Sequence, residues 1–213
     1  MEDQGKTWHT ETISPLLEET AARLAGSGVL KNFYLAGGTA LALHLGHRRS
    51  VDLDFFSAQP FNEDVFLADL QVLPALTVVA KASQTLHLHV GEAKVSFLGY
   101  DYPLLFPLED FRGIAVADAR DIACMKLSAL AARGSRRDFI DLHAMALRHG
   151  LRAIFDFFHR KFARVNYSNM HLRKSLTYFT DAEKEPMPEM LAAVSWSEVK
   201  TFFLREAPAL GSG

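Results

Sequence analysis

Apolar positions follow a helical period at the start of the chain. Ser14 caps and Pro15 opens a first helix. Leu16, Leu17, Ala21 and Leu24 then recur on one side as far as about Gly26. The rhythm changes at Leu30, where an apolar, aromatic run to Ala36 predicts a strand that Gly37-Gly38 breaks. Thr39 to Leu45 predicts a short helix ended by Gly46, and Val51 to Phe56 a second strand. Asn62-Glu63-Asp64 reads as a cap and an acidic first turn for a helix to about Leu73. Three β-like runs follow at Leu76–Ala80, Thr85–Val90 and Ala93–Leu98, and then a proline-containing loop from Tyr100 to Gly113. Near Val116 the pattern turns helical again. Asp118 caps a helix to Arg133 that Gly134 stops, and Arg136 to His149 predicts another, stopped by Gly150. A third runs from Leu151 to Arg164, with shorter helical runs to Arg205. The expected plan is an α/β lobe over residues 1–115 and a helical lobe over 116–208. With no flexible linker between them, the lobes share a core and a cleft.

Composition narrows the class. The chain has 213 residues, about half of them apolar, and 16 Phe, enough for a large aromatic core. No apolar run approaches the roughly 18 residues that span a bilayer. Met1-Glu2-Asp3-Gln4 is acidic and polar, unlike a secretory signal. The single cysteine, Cys124, reads as core. These features predict a cytoplasmic protein without disulfides. Gly211-Ser212-Gly213 reads as a flexible end.

The net charge of −2 conceals a division. Residues 1–119 carry 8 basic and 15 acidic side chains, whereas residues 120–174 carry 12 basic and 4 acidic. Within the basic third, Arg148, Arg152, Arg160, Lys161 and Arg164 accompany the helix that buries Phe155, Phe158 and Phe162. This strip can be an RNA bed or an ordinary solvated helix surface.

Two motifs carry chemistry. Asp52 and Asp54 stand two apart on a predicted strand, so both carboxylates point to one face while Leu53 and Phe55 point to the other. Converging carboxylates repel unless a cation joins them, and oxygen-only ligation suits Mg²⁺, with Mn²⁺ as a substitute. Gly37-Gly38-Thr39 lies between a strand and a helix, where bare backbone N–H groups and the helix N-terminus favour a phosphate. Alone, such a turn is ordinary. Followed by Asp-x-Asp on the next strand, it places a phosphate cradle beside a metal pair, as phosphoryl or nucleotidyl transfer requires. Lys126 and Arg133 fall on one helix face, as do Asp138 and Asp141. His87 and His89 alternate on a strand without a third ligand at suitable spacing, and a packed sheet face is the better reading.

Phe33-Tyr34-Leu35-Ala36-Gly37-Gly38-Thr39-Ala40-Leu41 and His47-Arg48-Arg49-Ser50-Val51-Asp52-Leu53-Asp54-Phe55-Phe56 resemble the core of the AbiEii/AbiGii toxin family of nucleotidyltransferases. A second block, from Lys126-Leu127 through Arg133 to Arg137-Asp138-Phe139-Ile140-Asp141-Leu142, resembles that family's helical motifs. The resemblance implies an α+β fold with a polymerase-β-like core, a mixed sheet flanked by helices, and a C-terminal helical lobe. It also implies transfer of a nucleoside monophosphate from an NTP to an acceptor such as tRNA, and a cognate antitoxin as partner. By the same resemblance Ser50 and Asp52 form its Ser-x-Asp motif, Asp52 and Asp54 hold the metal, Ser50 and Arg133 join the nucleotide-binding residues, Gly38 and Thr39 cradle the triphosphate, and Lys126 contacts phosphate. Asp141 is an essential late carboxylate that binds metal or helps deprotonate the acceptor.

The sequence departs from the wider superfamily on the strand Ala93–Leu98, which offers no third carboxylate. That leaves open a relative that binds nucleotide or RNA without turnover. A phosphatase of the haloacid-dehalogenase type also opens on Asp-x-Asp. It wants a hydrophobic strand directly before the first aspartate, however, and here His47-Arg48-Arg49-Ser50 precedes it.

Overall fold

A computed structural model describes residues 7–211. The Met1–Gln4 start and the Ser212-Gly213 tail lie outside the described residues. The first helix, α1 (Pro15–Ser27), begins where Ser14 Oγ accepts the Leu17 N–H and ends at Gly28 in the left-handed region. β1 (Tyr34–Ala36) leads directly into α2 (Gly37–Leu45), and β2 (Asp52–Ser57) returns antiparallel to β1. The expected strand from Leu30 is shorter because Leu30 to Asn32 form a turn, with the Phe33 N–H donating to Leu30 C=O at 2.9 Å. The helix starts at the glycines themselves and not at Thr39.

After α3 (Glu63–Leu70) comes a meander of β3 (Leu76–Ala82), β4 (Thr85–Val90) and β5 (Ala93–Gly99). Two short strands follow, β6 (Glu109–Phe111) within the segment expected to be loop and β7 (Ile114–Val116) directly after it. They are too brief for a periodic signal, but they extend the sheet. The seven strands run in the order β3-β4-β5-β2-β1-β7-β6. β2–β5 and β1–β7 are parallel and the other pairs antiparallel. One face packs Leu53, Phe55, Val95 and Phe97 against α1 and α3, and the Phe55 and Phe97 rings stack at 5.4 Å. The sheet is therefore mixed, as expected.

The helical part comprises α4 (Ala119–Ala132), α5 (Arg136–His149), α6 (Leu151–Lys161), α7 (Asn169–Ser175) and α8 (Trp196–Glu206). α4 and α5 pack on α2, which itself packs on β1 and β2 in the middle of the sheet. Phe139 of α5 joins Phe179, Trp196 and Phe203 in a second aromatic cluster. Cys124 is buried and unbonded. Among the described residues no helix is long and apolar enough to cross a membrane.

Candidate active site

β2 alternates as its sequence requires. Leu53 and Phe55 are buried, and Asp52 and Asp54 stand on the opposite face. The register sets Lys94 of β5 beside Asp52 and Ser96 beside Asp54, so neither position opposite the pair supplies a third carboxylate. Ser96 instead hydrogen-bonds Asp54 and also contacts His87 Nδ1 at 3.0 Å. His87 thus braces the sheet. Burial pushes the Asp54 carboxyl above its ordinary range, with the Asp52 charge adding to the shift and the Ser96 hydrogen bond opposing it. Asp52 Oδ1 is buried without a hydrogen-bond partner among the described residues.

The turn before α2 lies against this pair. Gly37 adopts a φ of 71°, and a Cβ there would come within 3.0 Å of Asp54 Oδ2. A Cβ on Gly38 would come within 2.7 Å of Arg48 Nη2. The glycines therefore let the backbone touch the carboxylate and the guanidinium directly. No side chain caps the first turn of α2, so the dipole end is open to an anion. Thr39 departs from its expected role. It is buried, and its hydroxyl bonds Ser50 Oγ at 2.8 Å and the Asp52 carbonyl. Its side chain ties α2 to the start of β2, which leaves the cradle to backbone.

Across the cleft stands a buried ion network. Lys126 Nζ, on α4, contacts Asp138 Oδ1 at 2.8 Å and Asp141 Oδ2 at 2.7 Å. Arg48 donates Nε to Asp141 Oδ1 at 2.6 Å and Nη2 to Oδ2 at 2.8 Å, and His47 Nε2 reaches Oδ1 at 2.8 Å. Asp138 also accepts from Ser135 Oγ at 2.9 Å and from Arg133 Nε at 3.2 Å. Burial alone would raise the Asp141 carboxyl, but Lys126, Arg48 and His47 outweigh it and hold the group well below the ordinary range. Lys126 is held charged in turn. Burial works against its ammonium, while Asp141 and Asp138 raise it.

This geometry corrects the expectation for Asp141. Its side chain is fully buried, both oxygens are engaged by cations, and it does not line the cleft. It positions Lys126 and Arg48 and cannot complete a metal site without breaking that clamp. Asp138 faces the cleft instead.

The cleft measures about 320 Å³ and brings together Gly38, Ser50, Asp52, Asp54, Lys126 and Arg133. Arg148, Arg152, Arg160, Lys161 and Arg164 do not line it. For Lys161 the reading as part of an RNA bed is overturned. The side chain is buried, its Nζ pairs with Asp121 Oδ1 at 2.8 Å, and it donates to the Pro103 carbonyl at 2.7 Å. A lysine between Phe158 and Phe162 looks like a surface residue until its partner, 40 positions away, is known. Sequence reasoning also passed over His47 and Arg48 as site residues. The available signal was a basic pair just before Ser-x-Asp and an aspartate lacking an assigned partner at 141.

Among the described residues no group of three His, Cys, Asp or Glu side chains is placed to hold a metal ion. The donor set at Asp52 and Asp54 still fits Mg²⁺. It is oxygen only, includes a buried oxygen with no partner, and leaves most positions to substrate phosphates and water.

A mixed sheet with an Asp-x-Asp strand beside an uncapped glycine turn, faced by a buried lysine, defines a nucleotidyltransferase. The model of the nucleotidyl transferase AbiEii toxin family, type IV toxin–antitoxin system, matches residues 21–87 and 91–210, and the chain belongs to that family. An uncharacterized protein of Aquifex aeolicus is 36% identical over 194 residues, spanning 88% of this chain and 92% of its own. Among solved structures, the MenT4 nucleotidyltransferase toxin of Mycobacterium tuberculosis H37Rv aligns over 93% of this chain and 84% of its own. Its TM-score is 0.60 at 16% identity. A putative nucleotidyltransferase of H. pylori aligns over 92% of this chain and 95% of its own, with a TM-score of 0.54 at 17% identity. ANT(2″)-Ia, solved with adenylyl-2″-tobramycin, covers 71% of this chain and 99% of its own, with a TM-score of 0.54 at 12% identity. At these identities the structures share the fold.

Proposed function

We propose that this chain transfers a nucleoside monophosphate from an NTP to an RNA acceptor, with Mg²⁺ held by Asp52 and Asp54. The observation that carries the reading is the buried, unpartnered Asp52 Oδ1 beside Asp54, facing a cleft that also holds Lys126. When bound, the metal neutralises phosphate charge and orients the phosphates. The backbone of Gly37 and Gly38 and the open end of α2 receive the phosphates, and Ser50 borders them. Lys126, fixed by Asp138 and Asp141, faces the charge that grows on the departing pyrophosphate. The acceptor oxygen bonds to the α-phosphorus as the bond from that phosphorus to the β-phosphate's bridging oxygen breaks. Asp141, engaged at both oxygens by Lys126, Arg48 and His47, is not available to take the acceptor's proton, which passes to water in the open cleft. Arg133 and Arg137, exposed at the cleft rim, meet the acceptor or the outer phosphates.

The family's description names a toxin–antitoxin system, which supports a toxin role and a cognate antitoxin as partner. Incubation with total RNA, Mg²⁺ and each α-labelled NTP in turn tests the activity and identifies base and acceptor together. The reading expects one labelled RNA species with one preferred NTP, and no label from the γ-labelled form. Absence of label with all four NTPs would favour the binding-only alternative, which the missing third carboxylate supports.

A further inference from the structure

The sheet has two unlike faces at β5 and β4. Leu53, Val95 and Leu88 form a buried row on the core side, where α1 and α3 pack. The opposite face begins at the metal pair. One row runs Asp52, Lys94, His89 and the next Asp54, Ser96, His87, each residue in register with its neighbour on the adjoining strand. None of the six is buried. None of α4 to α8 makes more than marginal contact with β3, β4 or β5, so this face stays open beside the cleft.

Beyond Asp52 and Asp54 the two rows hold no carboxylate. Lys94 is exposed, and among the described residues its ammonium has no acidic partner. The His89 ring makes no hydrogen bond among the described residues, whereas His87 is held by Ser96 at 3.0 Å. Neighbouring strands lie about 5 Å apart, so the row from Asp52 reaches His89 after about 10 Å. A cation followed by two flat rings suits a single nucleic-acid strand, whose phosphates take the charge and whose bases stack on the rings.

The sheet order says which strand this is. β2 lies between β1 and β5. The glycine turn that receives the phosphates follows β1, and Gly37 abuts Asp54 from that side. In phosphoryl-type transfer the attacking and leaving oxygens stand roughly in line across the phosphorus. With the pyrophosphate over the α2 end, the acceptor oxygen comes from the β5 side. Lys94 and Ser96 occupy β5 opposite the pair, the two positions where a third carboxylate would repel an incoming phosphate strand.

We infer that the acceptor is a single strand of RNA lying across β5 and β4, its reactive end at Asp52 and Asp54, with Lys94 on a backbone phosphate and His89 under a base. The direction of the strand rests on the proposed transfer reaction, but the binding surface can be measured without it.

The probe is a fluorescein-labelled uridine dodecamer, titrated by anisotropy with the full-length protein, Mg²⁺ and no NTP, at rising KCl. Lys94→Ala should flatten the dependence of log affinity on log salt by about 0.7, the share of one phosphate contact on a single strand. His89→Ala should weaken binding by about fivefold or more, and His89→Phe should restore it, because stacking needs only an aromatic face. Arg160→Ala, exposed on α6 and outside the cleft, should bind as wild type does. All four variants are surface changes and are first shown to be folded by circular dichroism. The surface is overturned if the wild type does not bind the dodecamer, if Lys94→Ala and His89→Ala bind it unchanged, or if Arg160→Ala weakens binding as much as they do. Loss of binding in Lys94→Ala and His89→Ala, with no label incorporated from any NTP, would uphold the surface and leave the transfer reading to fail alone.

Discussion

Arg48 and Asp141, 93 residues apart, are joined by two buried hydrogen bonds of 2.6 and 2.8 Å that engage both carboxylate oxygens. Lys126 and His47 complete the shell. Replacing Asp141 by Asn leaves two buried cations short of a counter-charge, which should cost about 3–5 kcal/mol of stability. The acid limb should change as well. The folded-state carboxyl is held well below its ordinary value, so its stabilisation is present above the unfolded value of about 3.9. That stabilisation is lost as pH falls through the folded value. The gap in melting temperature between wild type and Asp141→Asn should therefore stay constant from pH 7 to about pH 4 and begin to narrow only below it. Superimposed curves at neutral pH would show that the clamp contributes nothing.

Lys161 should behave as a core residue. Its ammonium and Asp121 are both fully buried, and Asp121 also accepts from Leu105 N and Phe106 N at 3.0 Å. Lys161→Ala should destabilise the protein by about 3–5 kcal/mol. The exposed neighbours Arg160→Ala and Arg164→Ala should each stay within about 0.5 kcal/mol of wild type. Urea denaturation of the three variants decides this, and equal stabilities would refute the burial argument.

Gly38→Ala adds a Cβ 2.7 Å from Arg48 Nη2, so the guanidinium must move off Asp141 or the turn must shift. The expected result is a protein with normal circular dichroism but weakened NTP binding and lower activity, by about tenfold or more, because small misplacements in such sites are costly. Unchanged kinetics would mean that the turn tolerates the displacement.

Lys126→Ala should reduce kcat and kcat/KM for NTP more than it affects RNA affinity. The ammonium sits in the cleft, pinned by two aspartates, and cannot adapt to a distant backbone. Removing it also leaves Asp138 and Asp141 underpaired, so thermal stability should fall alongside. Steady-state kinetics at varied NTP, paired with RNA-binding titrations, separate the two. An unchanged rate and NTP dependence would remove Lys126 from the site.

How far the sequence was legible follows from the range of each interaction. The alternation at Asp52-Leu53-Asp54-Phe55 is local, and the strand appears where its period places it. Ser14, Asn62 and Asp118 cap the helices that they precede, because the hydrogen bonds reach only two or three residues. Lys126 and Arg133 both reach Asp138, but that carboxylate stands on α5, and the meeting comes from the packing of two helices, which spacing along one helix does not give. What stayed hidden depends on distant pairing. Nothing near Lys161 announces Asp121, and nothing near His47 or Arg48 announces Asp141. Thr39 was misread for the same reason: a hydroxyl beside two glycines looks free until β2 arrives to accept it. The short hairpin of β6 and β7 is stabilised by its neighbours more than by its own three-residue strands.

The central claim is that Asp52 and Asp54 form the metal-dependent transfer centre. The direct measurement is the rate of α-labelled NMP incorporation into RNA by wild type and by Asp52→Asn, each shown to be folded by circular dichroism, with Mg²⁺ and again with excess EDTA. Loss of one metal-binding carboxylate should remove several kcal/mol of transition-state stabilisation, about a thousandfold or more in rate, and EDTA should silence the wild type. Near-normal incorporation by folded Asp52→Asn, or wild-type activity that survives EDTA, would contradict the account.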